Sequence, residues 1–338
     1  TRCDNVNLTT IHYSSRSYIE SRLAKRMIMT MVHAYTMMAV LFFSQLLCSS
    51  VSTATATETC SRVQGATRWL PPLQVVTGSL SAGTFPSFVV SQSTSTMVPV
   101  ILRGVDYIRL NGSTANAAAA YHSTFSTSKY NRTGCLNALT RLAKDNYNIV
   151  RVFLDTGDPE WKDGGRTNGI NGDWNSTGLN NGYLDNVAQF IRDAVDAKIY
   201  VILTADGLPQ SNLFSCGASP KESAAEYPNA NFLTQGCVEA KANYMRLLLQ
   251  GLQSRLGCVS SVVLSIENEA ALSSAALPFS QTTGTYTAAD GTKYNMTDSG
   301  QRQQLADVSF KQWAAAAAMA AKSVTANVLV MVGMFTFS

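Results

Sequence analysis

The chain has 338 residues, of which 46% are hydrophobic and 14% are charged. This length and apolar content suffice for a full core, which excludes general disorder and suggests one large domain or two small ones. The formal charge is +4, but five basic and two acidic residues precede Thr57, which leaves 21 basic and 20 acidic residues from there onward. The main body therefore lacks the basic excess of a nucleic-acid-binding protein, and no nucleic-acid partner is expected.

The first 56 residues are predicted to be removed from the mature protein. Residues 1–26 are interpreted as upstream sequence or an untidy gene model, because the chain begins with Thr and Met27 or Met29 is a plausible start. Residues 27–56 have the pattern of a signal peptide, with an apolar stretch at 37–47 and Ala-Thr-Ala at 54–56. The prediction is a secreted protein without stable membrane association. The alternative is a membrane tether formed by an uncleaved signal anchor.

Glycosylation acceptors and cysteines also indicate export. Asn-X-Ser/Thr tripeptides begin at Asn111, Asn131, Asn175 and Asn295, in segments predicted as loops or element ends. The region after residue 56 keeps five cysteines, of which Cys216 and Cys237 flank one polar loop. An oxidising compartment favours a disulfide between these two, and the alternative is a pair of buried thiols.

Residues 57–97 are rich in Ser and Thr and are predicted as a leader and an N-terminal cap. Within and just beyond this region, 88–90 and 98–102 are expected to pair as a small hairpin. Residues 98–338 are predicted as one catalytic domain. Five short β-branched runs in it predict strands, at 100–107, 148–154, 199–204, 262–266 and 328–334.

Apolar residues recur at helical spacing between these runs. They include Leu136, Leu139 and Leu142, then Leu184, Val187 and Ile191, then Tyr244, Leu248 and Leu252, and finally an Ala-rich stretch at 301–322. Strands that alternate with helices predict βαβ units and a parallel sheet. The longest loops, 155–181 and 208–234, follow strands rather than helices. This arrangement is typical of (β/α)₈ barrel enzymes. The glycine fingerprint of a doubly wound nucleotide-binding sheet is absent from the sequence.

A complete barrel of this class has eight strands, and the sequence pattern predicts five. The predicted fold is therefore a (β/α)₈ TIM barrel truncated after about the fifth strand, with a small N-terminal β cap.

The most specific candidate for a functional site lies at the end of the fourth predicted strand, where Ile266 is followed by Glu267, Asn268 and Glu269. An ionisable group at the mouth of an apolar strand costs desolvation free energy unless it is paired or used. The same low-dielectric surroundings raise the pKa of a carboxyl group, as a general acid near neutral pH requires. The alternatives are that the two carboxylates cap the next helix or pair with Arg151.

Four segments follow one another in the order and at the spacing of strand motifs in a known family. They are L-R-G-V-D-Y at 102–107, Y-N-I-V-R-V-F-L at 147–154, Y-V-I-L at 200–203 and I-E-N-E at 266–269. Together they resemble family 5 glycoside hydrolases and the wider clan of (β/α)₈ retaining glycosidases, the cellulase and β-mannanase group. The resemblance covers roughly residues 98–335.

The resemblance implies roles for three residues. Glu269 would be the general acid/base, and Asn268 would contact the 2-hydroxyl group of the sugar. Arg151 would support the nucleophile, and a structural ion pair is the alternative for this arginine. The nucleophile of the clan is a Glu at the end of the seventh strand, which this chain does not reach.

The sequence departs from the family pattern at three places. Ala270 stands where Pro usually follows the Asn-Glu pair, and Asp106 replaces the usual Asn of the first strand. Residues 204–207 stand where a substrate-binding His is common, which leaves Asp206 as the candidate contact there.

Three further candidates for substrate contact lie in predicted loops. Trp161 and Trp174 follow the second strand and are candidate stacking platforms, because aromatic faces suit the C–H faces of pyranose rings. His122 lies in the first βα loop. Ordinary loop packing is the alternative for the two tryptophans, and a structural histidine with satisfied hydrogen bonds is the alternative for His122.

The predicted function is a secreted retaining glycoside hydrolase that cleaves β-glucan or β-mannan, represented here by a fragment that lacks the nucleophile half and is inactive alone. Its expected partner is a polysaccharide or oligosaccharide. Acid/base and carboxylate catalysis require no metal or organic cofactor, and no two histidines are spaced as zinc ligands. The alternative is a non-catalytic carbohydrate-binding or cell-surface protein on a degenerate barrel.

Overall fold

The structure, a computed structural model, describes residues 63–68, 70–76, 87–91, 97–107, 123–156, 169–172, 175–217 and 221–334. Several predicted features lie outside these residues, namely the segments 1–26 and 27–56, the acceptor Asn111 and the candidate contacts His122, Trp161 and Trp174. All the described residues belong to one compact unit of the chain.

The described residues contain ten strands and five α-helices. The strands are β1 (Leu73–Val76), β2 (Ser87–Ser91), β3 (Met97–Pro99), β4 (Gly104–Asp106), β5 (Ile149–Phe153), β6 (Tyr200–Thr204), β7 (Val262–Ser265), β8 (Thr285–Thr287), β9 (Lys293–Asn295) and β10 (Leu329–Met331). The helices are α1 (Arg132–Lys144), α2 (Asn181–Asp196), α3 (Ala230–Leu233), α4 (Gln235–Leu256) and α5 (Ser299–Val324).

The main sheet has five parallel strands in the order β10-β7-β6-β5-β4. Each strand pairs with the strand before it in the order of the chain, and the sheet has no switch point where that order reverses. A doubly wound sheet reverses its strand order near the middle, whereas the wall of a (β/α)₈ barrel runs in sequence. The predicted parallel sheet of barrel type is thus confirmed for these five strands.

Burial explains why the central strands form where they do. All four residues of β7 are buried, and four of the five residues of β6 are. Strands covered on both faces read as continuous apolar runs, as these two do. The helices pack one face against them; α2, for example, buries Leu184, Val187 and Ile191.

Side-chain caps mark the starts of three helices. Asn131 caps α1 by accepting from the Gly134 N–H at 3.0 Å, and Asn180 caps α2 by accepting from the Tyr183 N–H at 3.3 Å. Asp298 accepts from two N–H groups at the start of α5. Each cap satisfies a backbone donor that the helix itself leaves without a partner, and together they define where the helices begin.

The predicted hairpin before the barrel is present and larger than expected. Strand β2 pairs antiparallel with β3 and also with β1, so that a three-stranded sheet precedes β4. The backbone at 63–76 then closes the amino-terminal end of the main sheet. The Gln64 N–H donates to Leu256 O at 2.7 Å, and the Tyr200 hydroxyl donates to Pro71 O at 2.7 Å.

The hairpin β8–β9 was not predicted from the sequence. Its strands have three residues each, and Tyr286 and Tyr294 are their buried residues. Within the described residues, no helix combines the length and the apolar content needed to cross a membrane.

Candidate active site

The carboxyl ends of four neighbouring strands carry polar side chains. Asp106 ends β4, Arg151 lies in β5 and pairs with Asp106 in the strand register, and Asp206 follows β6. Residues 267–269 follow β7. Because parallel strands in register end at the same edge of the sheet, these residues lie together at one edge, where barrel enzymes carry their sites.

Arg151 joins three of the strand ends. Its Nη2 donates to Asn268 Oδ1 at 2.8 Å, and its Nε donates to Thr204 Oγ1 at 3.0 Å. Its guanidinium also lies 4.6 Å from the centre of the Phe153 ring. The planar group is thereby held in one orientation, and it orients the side-chain amide of Asn268 in turn.

The acidic residue that departs from the family pattern at the first strand also contacts this arginine. Asp106 Oδ1 lies 3.9 Å from Arg151 Nη1, and both side chains are partly exposed. A carboxylate here shares the positive charge of Arg151, which an asparagine would not do.

The alanine that replaces the usual proline after the Asn-Glu pair has a structural reason in the backbone. The Ala270 N–H donates to Gly333 O at 2.9 Å, and Ala270 forms a parallel bridge with Met334. A proline at 270 has no N–H and could not make this bond. Ala270 therefore extends the pairing of β7 with the β10 segment just past the site residues.

Glu267 is the less exposed carboxyl of the site, with 15% of its side chain exposed, and both of its oxygens are bound by protein groups. Oε1 accepts from the Gly207 N–H at 2.9 Å, and Oε2 accepts from Lys241 Nζ at 3.0 Å. Lys241 also donates to Ala205 O and Gly207 O, each at 2.7 Å. The ammonium group uses all three protons, as a buried cation must if it is to remain charged.

The pKa of Glu267 is raised from 4.5 to about 7, chiefly because burial disfavours the charged carboxylate. Lys241 opposes the rise in pKa, and a hydrogen bond with the Asp206 carboxyl adds to it. The sequence led us to expect a raised carboxyl pKa for the general acid of this segment; the structure shows a raised pKa at Glu267, whereas the resemblance assigns the general acid/base to Glu269.

Lys241 was missed at the sequence level, although the sequence contains a signal for it. It lies on the buried face of α4, in register with Cys237, Tyr244, Met245 and Leu248. A lysine at an apolar position of an amphipathic helix needs a buried partner, which would have pointed to an acidic strand end. A cavity of about 10 Å³, which is room for one water, adjoins the pair and is lined by Gly207, Leu208, Asn231, Cys237, Lys241, Glu267 and Trp313.

Glu269 differs from Glu267 in being exposed. Its neighbour Asn268 is partly buried, and the Asn268 N–H donates to Asp206 Oδ1 at 3.2 Å. The structure thus brings Arg151, Asp206 and Asn268 together and leaves the Glu269 carboxyl open to a ligand. Among the described residues, Arg151 forms its ion pair with Asp106 and Glu267 forms its ion pair with Lys241. The next helix after β7 is α5, which begins at Ser299.

The loop after β6 is attached to the start of α4 by a disulfide bond. Cys216 and Cys237 are bonded, with their Cα atoms 4.4 Å apart. Among the other sequence candidates, Asn175 and Asn295 are exposed and Asn131 is partly exposed. The described residues contain no group of three or more His, Cys, Asp or Glu side chains placed to hold a metal ion.

No protein-family model matches the chain, and no curated protein matches it. Similar solved structures are glycoside hydrolases. An exo-β-1,4-mannosidase from Opitutaceae bacterium strain TAV5 shares 12% identity over 70% of this chain and 32% of its own, with a TM-score of 0.43. A family 5 glycoside hydrolase from Bacteroides vulgatus shares 15% identity over 80% of this chain and 41% of its own, with a TM-score of 0.40.

A GH5_18 protein from Streptomyces cattleya in complex with GlcNAc shares 15% identity over 65% of this chain and 42% of its own, with a TM-score of 0.35. The chain thus spans between about a third and two fifths of the length of these three structures.

Proposed function

We propose that this chain is part of a secreted retaining glycoside hydrolase that acts on a β-linked polysaccharide, either a β-glucan or a β-mannan. The observation that carries the proposal is the hydrogen bond from Arg151 to Asn268 at 2.8 Å, next to the exposed Glu269. It sets an amide and an accessible carboxyl side by side at the carboxyl edge of a barrel-type sheet. The strand motifs that resemble family 5 supply the same residues in the same order.

The bond to Arg151 also decides how Asn268 can meet a sugar. Because Asn268 Oδ1 accepts from Arg151, the amide NH₂ group is turned away from the guanidinium. It is then positioned to donate to a sugar hydroxyl group, in keeping with a contact to the 2-hydroxyl. Glu269 would protonate the leaving glycosidic oxygen and later activate the water that releases the product.

Retention requires a second carboxyl group about 5–5.5 Å from the first. By the resemblance, this nucleophile is a Glu at the end of a seventh strand, beyond the five barrel strands described here. The proposed activity therefore belongs to the full protein, and no metal or organic cofactor has a step in it.

The test is Glu269→Gln in the full secreted protein, with Glu239→Gln as the matched control on the exposed side of α4. The glutamine is nearly isosteric but cannot donate a proton, so hydrolysis of natural β-glycans should fall by about 10²–10⁴-fold. The loss should be much smaller for activated aryl glycosides, whose leaving oxygen needs little protonation. Azide should then rescue the second step, because it needs no general base.

Two results would contradict the proposal. One is a small loss for Glu269→Gln that equals the control on both substrate types, which would make Glu269 a structural carboxylate. The other is a wild-type protein that binds β-glycans without hydrolysing them, which would favour the carbohydrate-binding alternative. N-terminal sequencing of the secreted product tests the compartment, since we expect it to begin near Thr57.

A further inference from the structure

Lys241 is almost entirely buried, with 2% of its side chain exposed, yet it lies in the middle of a helix that carries none of the proposed catalytic groups. Its ammonium group contacts two elements at once. It donates to the backbone on both sides of Asp206, through Ala205 O and Gly207 O, and to the Glu267 side chain.

We infer that Lys241 is a positioning residue that ties the ends of β6 and β7 together and thereby sets the placement of Asn268 and Glu269. The inference rests on the proposed function in so far as Glu269 is the general acid/base.

Hydrogen bonds connect Lys241 to the site in an unbroken series. Lys241 fixes Gly207 O, the Gly207 N–H binds Glu267 Oε1, and Lys241 binds Glu267 Oε2. Asp206, held between the two anchored carbonyl groups, accepts from the Asn268 N–H at 3.2 Å. Asn268 is then fixed from its backbone side by Asp206 and from its side chain by Arg151. Glu269 follows directly in the chain.

The chemistry of the site requires a lysine. Three acceptors surround one small cation, which an ammonium group satisfies with its three protons and a planar guanidinium does not. The Nζ atom lies 5.8 Å from the centre of the Tyr244 ring and 6.0 Å from that of Trp313, so two aromatic rings border the ammonium group. Removing the cation would leave Glu267 buried without its charge partner, which is strongly unfavourable.

Three groups face the Glu267 carboxyl: Lys241 from α4, Asp206 from the loop after β6, and Tyr244 from the next turn of α4. Lys241 lowers the pKa of Glu267, whereas burial and Asp206 raise it. Without Lys241 the carboxyl would hold its proton to higher pH, by about 1–3 pH units for the loss of an adjacent opposite charge. Protonation of Glu267 should then disturb Asn268 at a pH where the wild-type site is still ordered.

The experiment compares wild type, Lys241→Met, Lys241→Met/Glu267→Gln and the control Lys311→Met, which removes an exposed lysine from α5. All are made in the full secreted protein and assayed across pH with cello- and manno-oligosaccharides, whose leaving oxygens need protonation. For Lys241→Met we expect kcat to fall by about tenfold to a hundredfold with KM little changed, because a misplaced catalytic group affects the reacting geometry. The acidic limb of the pH profile should move to higher pH.

The double variant distinguishes two roles of Lys241, namely positioning the backbone around Asp206 and neutralising the charge of Glu267. It contains no buried unpaired charge, so we expect it to fold. Its pH profile should lose the contribution of Glu267, but kcat should stay low because nothing anchors the backbone around Asp206. Recovery of wild-type kcat in the double variant would overturn the inference, since Lys241 would then serve only to neutralise Glu267. A lower melting temperature with unchanged kcat and pH profile would overturn it as well.

A second readout needs no activity and therefore separates this inference from the proposed function. Carboxyl and amide resonances of Glu267 and Asn268 are followed by NMR as a function of pH. A higher Glu267 pKa in Lys241→Met, accompanied by a displaced Asn268 amide resonance, supports the positioning role even if the protein hydrolyses no glycoside. Asn268 resonances that stay at their wild-type positions would refute it.

Discussion

Glu267 and Glu269 are separated by a single residue but have opposite surroundings. Glu267 is bound through both oxygens and lies against a buried lysine, whereas Glu269 is exposed. A carboxylate whose oxygens are both occupied by protein donors cannot exchange a proton with a substrate without breaking those bonds. The two residues are therefore suited to different roles. Glu267 holds the ends of two strands together, whereas Glu269 is accessible to bind a ligand.

The raised pKa of Glu267 makes a prediction about stability and pH. Its value in the folded protein, about 7, lies above the ordinary 4.5, so the folded state binds the proton more tightly than the unfolded state does. This contribution to the free energy of unfolding is complete below about pH 4.5 and is lost as the pH rises towards about 7. Glu267→Gln should remove that decline, as measured by urea unfolding at both ends of the range. Glu239→Gln should keep it, and a decline that survives in Glu267→Gln would contradict the assignment.

Gly333 allows the closest backbone approach beside the site. A Cβ atom at this position would overlap with the carbonyl oxygen of Asn268, so Gly333→Ala must displace one of the two strands. We expect a loss of about 1–3 kcal/mol in the free energy of unfolding, as for other forced overlaps, together with a lower kcat. Gly178→Ala is the control, because a Cβ there meets nothing within 4 Å. Equal unfolding energies for the two variants would show that the overlap is relieved without cost.

At the scale of elements, the sequence predicted the barrel strands well because each is a short β-branched run between helical patterns. The run at 148–154 contains β5 at Ile149–Phe153, and the run at 199–204 contains β6 at Tyr200–Thr204. The hairpin β8–β9 escaped prediction because its strands are three residues long and each buries a single tyrosine. So short an alternation does not stand out from a polar loop.

The candidate site was predictable only where it lies on strand ends. Arg151 lies within a recognisable strand, and Asp206, Asn268 and Glu269 follow two others; register alone brings such residues near one edge. Lys241 comes from a helix, and no local pattern states which strand end that helix will face. Its contact with Glu267 results from the packing of α4 on the sheet, which is a property of the tertiary structure.

The disulfide between Cys216 and Cys237, which lie 21 positions apart in sequence, links the loop after β6 to α4. Closing a loop of this size should stabilise the folded state by about 3 kcal/mol, mainly by restricting the unfolded chain. We therefore expect Cys216→Ala/Cys237→Ala to lower the free energy of unfolding by about this amount, as measured by chemical denaturation without reductant. A double variant as stable as the wild type would mean that the loop is held by its other contacts alone.

At the scale of the whole molecule, the main sheet has one edge that carries the candidate site and an opposite edge closed by the segment at 63–76. Asp196, at the end of α2, accepts from the Thr67 N–H, the Thr67 hydroxyl and the Arg68 N–H. Arg192 donates to Gln64 O from the same helix. In (β/α)₈ barrels, contacts at the amino-terminal edge of the sheet stabilise the fold, and the loops at the carboxyl edge carry the functional residues. The contacts of the segment at 63–76 follow this pattern.

Asp196→Ala tests whether the contacts of Asp196 with the segment at 63–76 contribute to the free energy of unfolding. Three donors would lose their shared acceptor, and we expect the free energy of unfolding to fall by about 2 kcal/mol, with faster proteolytic cleavage near residue 68. Asp307→Ala, on the exposed side of α5, should change neither quantity measurably. If the two variants behaved alike, the segment at 63–76 would be held by its apolar contacts instead.

The closing segment also affects the order in which the protein can assemble as it is synthesised. Each barrel strand pairs with its predecessor, so the sheet can grow one unit at a time behind the ribosome. The segment at 63–76 is made before all of these units, yet its partners include Asp196, Tyr200 and Leu256. More than 180 residues separate Gln64 from Leu256, so the part of this segment before β1 must wait undocked while the later helices emerge, although β1 itself can pair with β2 early. The first part of the described chain to leave the ribosome is thus among the last to reach its native place, and chaperones would meet it exposed throughout that interval.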